Sequence, residues 1–122
     1  MTTILVVDDE ELARFTVREI LEEGGHSVLE ASGADEALRL LGDGPVDVLV
    51  TDIIMPGKDG IALVAEVRRT HPGIKVVAIS GGGRSTRLDF LTVAKAYGAD
   101  QVLAKPFGGE QLLAAITACL KA

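Results

Sequence analysis

Asp8, Asp9, Asp52, Ser80 and Lys105 share a setting: each ends a short apolar run or stands immediately beyond one. Two carboxylates 4 Å apart repel by roughly 4 kcal/mol at an effective dielectric constant of about 20, so a cluster of three calls for a cation or for raised pKa values. Magnesium suits such a group, because it is a hard ion that prefers oxygen ligands and is held by one or two carboxylates together with a phosphate oxygen. No histidine or cysteine accompanies these residues to suggest zinc. An oriented carboxylate can also be a nucleophile that forms an aspartyl phosphate, and Asp52 is the candidate. Mg2+ and the Lys105 ammonium would neutralise the phosphoryl oxygens during in-line transfer, while Ser80 could donate a hydrogen bond to a third oxygen.

That chemistry needs a scaffold that gathers residues spread from position 8 to 105. Five short β-branched runs alternate with five longer segments of helical period, and Gly, Pro, Asp or Ser marks each switch. The spacing predicts strands over Ile4–Val7, His26–Ala31, Val46–Thr51, Ile74–Ile79 and Asp100–Ala104. Helices are predicted over Glu10–Glu23, with Leu12, Phe15, Ile20 and Leu21 in its apolar stripe, and over Ala34–Leu41, with Ala37, Leu38 and Leu41 inward. A third follows an Asp59 cap and carries Leu63, Val64 and Val67. A fourth runs from about Ser85 to Tyr97, and a fifth over Gly109–Lys121 carries Leu112, Leu113, Ile116 and Leu120. Strict β/α alternation implies an α/β fold, a doubly wound parallel sheet with helices on both faces. Ligands of open α/β sheets bind beyond the carboxyl ends of the strands, where all five polar residues fall.

The 122 residues are read as one domain, 1–122. Apolar residues make up 48% and aromatic residues only 3%, so Val, Leu, Ile and Ala must build the core. A net charge of −6 argues against direct nucleic acid binding, which needs a clustered basic surface. Cys119 is the single cysteine, which rules out an internal disulfide. Neither a signal peptide nor a membrane span is evident, and a cytoplasmic location is expected. The glycine run Gly81–Gly83 lacks the Gly-Lys-Ser/Thr of a nucleotide loop and is read as a mobile switch loop. His26 and His71 are read as surface turn residues.

Taken singly, each polar residue has a plainer reading: Asp8-Asp9 as helix caps, Asp52 as a turn former, Lys105 as a solvated lysine. Their joint placement at one sheet edge favours chemistry. Asp8-Asp9, the run Asp52-Ile53-Ile54-Met55-Pro56-Gly57 with Asp59-Gly60 behind it, Ser80, and Lys105-Pro106-Phe107 together resemble the response regulator receiver domain family of two-component signalling, CheY-like and here in stand-alone form. The resemblance spans essentially the whole chain and implies a flavodoxin-like, five-stranded sheet of order 2-1-3-4-5 with five helices.

It further implies that Asp52 is the phosphoacceptor and that Mg2+ is held by Asp9 directly, by Asp8 largely through water, by Asp52, and by the main-chain carbonyl of Ile54. Ser80 resembles the switch hydroxyl. Lys105 resembles the lysine that pairs with the acceptor or its phosphoryl group, with a cis bond to Pro106. The implied donor is a sensor histidine kinase or a histidine phosphotransfer protein, and the implied output is docking of a downstream effector on the face of helix four, strand five and helix five. The protein is expected to be no enzyme beyond self-catalysed phosphoryl acceptance and slow autodephosphorylation. Alternatives are a phosphate shuttle or sink in a phosphorelay and an aspartyl-nucleophile hydrolase. The latter usually has a second acid two residues after the nucleophile, where this chain has Ile54.

The chain departs from the family pattern in three places. Val102 stands where many receivers carry an aromatic switch in strand five, and Tyr97 is poorly placed to replace it. Ile54 stands where a polar side chain often influences the hydrolytic water. The stretch from Ser80 to Gly98 is a few residues longer than is common.

Overall fold

The structure, a computed structural model, describes residues 2–53, 60–80, 92, 95 and 97–121. The apolar runs form five strands: β1 (Thr3–Val7), β2 (Ser27–Ala31), β3 (Val48–Asp52), β4 (Lys75–Ser80) and β5 (Gln101–Ala104). They pair in parallel in the order β2-β1-β3-β4-β5. The described helices are α1 (Glu11–Glu23), α2 (Ala34–Asp43), α3 (Gly60–Thr70) and a C-terminal α4 (Gly109–Lys121). This is the flavodoxin-like, doubly wound arrangement expected from the sequence.

Four helices are seen among the described residues where five were expected. The expected fourth, from about Ser85 to Tyr97, lies almost wholly outside the described residues, as do Gly81–Gly83, Ile54 and Asp59.

Successive residues of a strand point to opposite faces, and here each face has its own core. Leu5 and Val7 of β1 pack with Ala37 and Leu41 of α2 and with Leu63, Val64 and Val67 of α3. Ile4 and Val6 pack with Val17 and Leu21 of α1 and with Leu112, Ile116 and Cys119 of α4. Burial on both faces is why β1, β3 and β4 read as continuous apolar runs rather than as alternating ones. The edge strand β2 alternates instead, with Ser27 and Leu29 exposed.

Two helical stripes differ from expectation. Leu12 and Phe15 are 79% and 53% exposed. The inner stripe of α1 runs through Val17 and the residues three and four positions after it, Ile20 and Leu21, while Leu12 and Phe15 lie round the outer side. In α4, Leu120 is exposed and Cys119 takes the inward position on the stripe of Leu112, Ala115 and Ile116.

The opposite end of the sheet is fixed by Arg68 of α3. Its guanidinium donates to the carbonyls of Pro72, Ile74 and Gly98 and pairs with Asp100 at 2.9 Å. His26 and His71 also sit at that end, half-buried in turns before β2 and β4.

Candidate functional site

Strand register brings the polar residues together. Val7 lies opposite Thr51, Asp52 opposite Ile79, and Ser80 opposite Ala104. The residues that end or follow β1, β3, β4 and β5 therefore line one edge: Asp8, Asp52, Ser80 and Lys105.

Asp52 is the last residue of β3, 8% exposed. The buried Thr51 hydroxyl donates to the Asp52 carbonyl at 2.9 Å, and the Ile53 amide continues the ladder to the Ile79 carbonyl at 3.0 Å. The first residue of α3, Gly60, donates its amide to the Ile53 carbonyl at 3.1 Å. A Cβ on Gly60 would stand 2.2 Å from the Asp52 carbonyl oxygen and 2.4 Å from Ile53 Cα, so only glycine lets the helix start this close to the end of β3.

The Lys105 ammonium lies 3.2 Å from Asp52 Oδ2 and 3.7 Å from Asp8 Oδ2, joining the two buried carboxylates. Its own amide donates to the Ser80 carbonyl at 2.8 Å, which ties the end of β5 to β4. The Lys105–Pro106 peptide bond is cis, as expected.

Asp8 is held from several sides. Its amide donates to the Ala31 carbonyl at 3.2 Å, its Oδ1 accepts the Glu10 amide at 2.9 Å, and its carbonyl accepts Arg14 Nη1 at 2.8 Å. Burial pushes the Asp8 carboxyl above its ordinary range; the charges of Asp52 and Asp9 push the same way, against the Glu10 amide and Lys105. Burial alone would lower the Lys105 ammonium, but Asp52 and Asp8 together hold it above the usual lysine range.

Ser80 is fully buried and its hydroxyl has no hydrogen-bond partner among the described residues. Buried hydroxyls are ordinarily partnered, so a hydroxyl with no partner among the described residues stands out beside the carboxylates. The expected residues Asp8, Asp52, Ser80 and Lys105 are thus assembled at one edge. Asp9 is exposed, and among the described residues no three His, Cys, Asp or Glu side chains group closely enough to hold a metal ion by themselves. The Ile54 carbonyl lies outside the described residues.

Three contributors escaped the sequence reading. Gly60 had only its place behind Asp59 as a signal, and Thr51 read as one more strand residue. Arg14 carries no local signal, because its partners, the Asp8 carbonyl and Glu30, are brought to it by the fold.

The family model described as response regulator receiver domain matches residues 4–117. The chain belongs to that family. Receiver domains of two-component response regulators are phosphorylated on an aspartate, bind Mg2+ in general, are regarded as non-enzymatic phosphoacceptors, and interact with histidine kinases and downstream effectors. Among curated relatives, the transcriptional regulatory protein CpxR of Klebsiella pneumoniae is 37% identical over 99% of this chain and 50% of its own length. The sensor kinase CckA of Brucella abortus is 35% identical over 98% of this chain and 12% of its own. The receiver chain therefore spans half or less of the length of these relatives. A solved receiver domain protein from Clostridium thermocellum superposes with a TM-score of 0.89 at 31% identity, covering 99% of this chain and 96% of that one. No helix of the described receiver residues is long and apolar enough to cross a membrane.

Proposed function

We propose that this receiver accepts a phosphoryl group on Asp52 from the phosphohistidine of a sensor kinase or phosphotransfer protein, with Mg2+ as cofactor, and that the modification changes its affinity for a partner protein. The observation that carries the reading is the pairing of Asp52 with Lys105 beside a buried Ser80 hydroxyl that has no partner among the described residues.

The donor set suits a hard divalent cation, since two buried carboxylates face the Lys105 ammonium and Asp9 adds negative charge at the surface. Asp8, Asp9, Asp52 and the Ile54 main-chain carbonyl would hold Mg2+, which when bound supplies positive charge against the phosphoryl oxygens. An Asp52 carboxylate oxygen attacks the donor phosphorus in line; the new O–P bond forms as the P–N bond breaks, and its electron pair returns to the imidazole nitrogen. Lys105, already at hydrogen-bond distance from Asp52, neutralises one phosphoryl oxygen. The Ser80 hydroxyl donates to another. Partner affinity then changes on the side of the fold formed by the expected fourth helix, β5 and α4.

Intact-mass measurement after incubation with acetyl phosphate or phosphoramidate and Mg2+ tests this. Wild-type protein is expected to gain one phosphoryl group and Asp52→Asn none. No adduct on wild type would refute the assignment, and an adduct surviving in Asp52→Asn would move the acceptor elsewhere. Steady turnover of phosphate esters would instead support the hydrolase. Capture of a partner only by the phosphorylated form marks an effector; onward transfer to a phosphotransfer protein marks a relay.

A further inference from the structure

The Asp8-Asp9 turn is gripped from outside the site by a guanidinium that the acceptor chemistry does not use. Arg14, one turn into α1, donates from Nη1 to the Asp8 carbonyl at 2.8 Å and from Nε to Glu30 Oε1 at 3.0 Å. Glu30 belongs to the edge strand β2, and its second oxygen takes Arg18 Nη1. Arg18 in turn pairs with Glu22 at 3.1 Å. Two features separate this from an ordinary surface network. The side chain of Arg14 is only 17% exposed, and the atom it holds is a main-chain oxygen of a residue that is itself 5% exposed.

We infer that Arg14 is a positioning residue for the acidic turn and that Glu30 is its counter-charge, so that the pair sets the affinity of the site for a divalent cation without touching it. This rests on the Mg2+ site proposed above. A guanidinium fork bonds in two directions at once, which a lysine cannot reproduce. One bond fixes the Asp8 peptide and with it the direction in which the Asp8 and Asp9 side chains leave the turn; the other is anchored on β2. Glu30 does a second thing. A bare guanidinium this close to Asp8 would repel a cation, and the Glu30 carboxylate cancels that charge while leaving the hydrogen bond to the carbonyl in place. Hydrogen bonding to Arg18, with Arg14 adding to it, holds the Glu30 carboxyl below the usual range, so the counter-charge is present at neutral pH.

Charge alone and positioning make opposite predictions for Arg14→Met. Removing a cation while leaving Glu30 should tighten Mg2+ binding if only electrostatics matter; loosening the turn should weaken it. The experiment is calorimetric titration of the metal-free protein with Mg2+ alone, paired with the Mg2+ dependence of acetyl phosphate modification, for wild type, Arg14→Met, Arg14→Lys, Glu30→Gln and the Arg14→Met/Glu30→Gln double variant. Arg14→Met is expected to raise the dissociation constant and the half-saturating Mg2+ concentration on the order of tenfold, with the modification rate at saturating Mg2+ nearly restored. Arg14→Lys should rescue only part, and Glu30→Gln should weaken binding with much less effect once Arg14 is gone. Tighter or unchanged Mg2+ binding by Arg14→Met, with thermal denaturation showing a folded protein, would overturn the inference. Wild-type protein that binds no Mg2+ would instead overturn the proposed site itself.

Discussion

Replacing Asp8 by asparagine should stabilise the metal-free fold. The Lys105 ammonium lies 3.7 Å from Asp8 and 3.2 Å from Asp52, so the two carboxylate oxygens are within about 7 Å of each other, a repulsion of at least about 2 kcal/mol at an effective dielectric constant of about 20. Burial of the Asp8 charge adds to that cost, and attraction to Lys105 and the Glu10 amide offset only part of it, as the raised Asp8 pKa shows. A raised pKa means that the folded state holds its proton more tightly than the unfolded chain. The contribution of Asp8 is therefore complete below its unfolded value near 3.8 and is lost as pH rises through the higher folded value. Asparagine keeps an oxygen for the Glu10 amide and carries no charge. Asp8→Asn is expected to gain about 1 kcal/mol at pH 7, which is about 3–6 °C in Tm for a domain of this size. The assay is thermal and urea unfolding in the presence of a chelator, at neutral pH and again in mild acid, where the advantage should shrink. Adding Mg2+ should then stabilise wild type more than the variant, since ligand binding to the folded state alone adds stability. A variant less stable than wild type at pH 7, or an advantage that grows in acid, would refute the reasoning.

Three further outcomes are expected, two from the site's geometry and one from the residue type at position 54. Ser80→Ala removes a buried hydroxyl that is unpartnered among the described residues and should stabilise the unmodified protein by about 1 kcal/mol while abolishing phosphorylation-dependent partner capture; a less stable variant would show that the hydroxyl is already satisfied. Gly60→Ala drives a methyl group into the Asp52 carbonyl and should cost about 3 kcal/mol in urea unfolding, so a near-neutral result would mean that α3 starts further from Asp52. Phosphorylated protein should lose its phosphoryl group slowly in Mg2+, because Ile54 cannot orient water, and decay within seconds by intact mass would contradict this.

The edge that carries the site was legible because strand ends are written into the sequence. Val7, Thr51, Ile79 and Ala104 close apolar runs, and parallel register then leaves Asp8, Asp52, Ser80 and Lys105 no choice but to neighbour one another. Helix faces were less legible. In α1 apolar residues occur on both sides, so Leu12 and Phe15 satisfied the same period as Val17 and Leu21, and only packing against α4 decides between them. Arg14 was invisible for a different reason. Its bonds to the Asp8 carbonyl and to Glu30 exist only once β2 has paired with β1, and no local pattern in α1 encodes that pairing.

The fold also bears on how the proposed phosphoryl group at Asp52 would be felt elsewhere. Ala78 of β4 lies opposite Val102 of β5, and Val102 is half-buried against the core beneath α2 and α3. A β-branched apolar side chain has one preferred rotamer and no polar head to follow a moving hydroxyl, so it cannot act as the rotating aromatic that many receivers place there. Tyr97, more than half exposed in the turn before Gly98, is no closer substitute. The downstream end of the connection is meanwhile pinned, since Arg68 grips the Gly98 carbonyl and Asp100 while the Asp100 carboxylate accepts the Val76 amide at 2.7 Å. On the proposed reading, with no rotating aromatic at Val102 and with Gly98 held by Arg68, a hydrogen bond gained by Ser80 would act on the main chain of Ser80 and, through the Ser80 carbonyl, on the Lys105 amide.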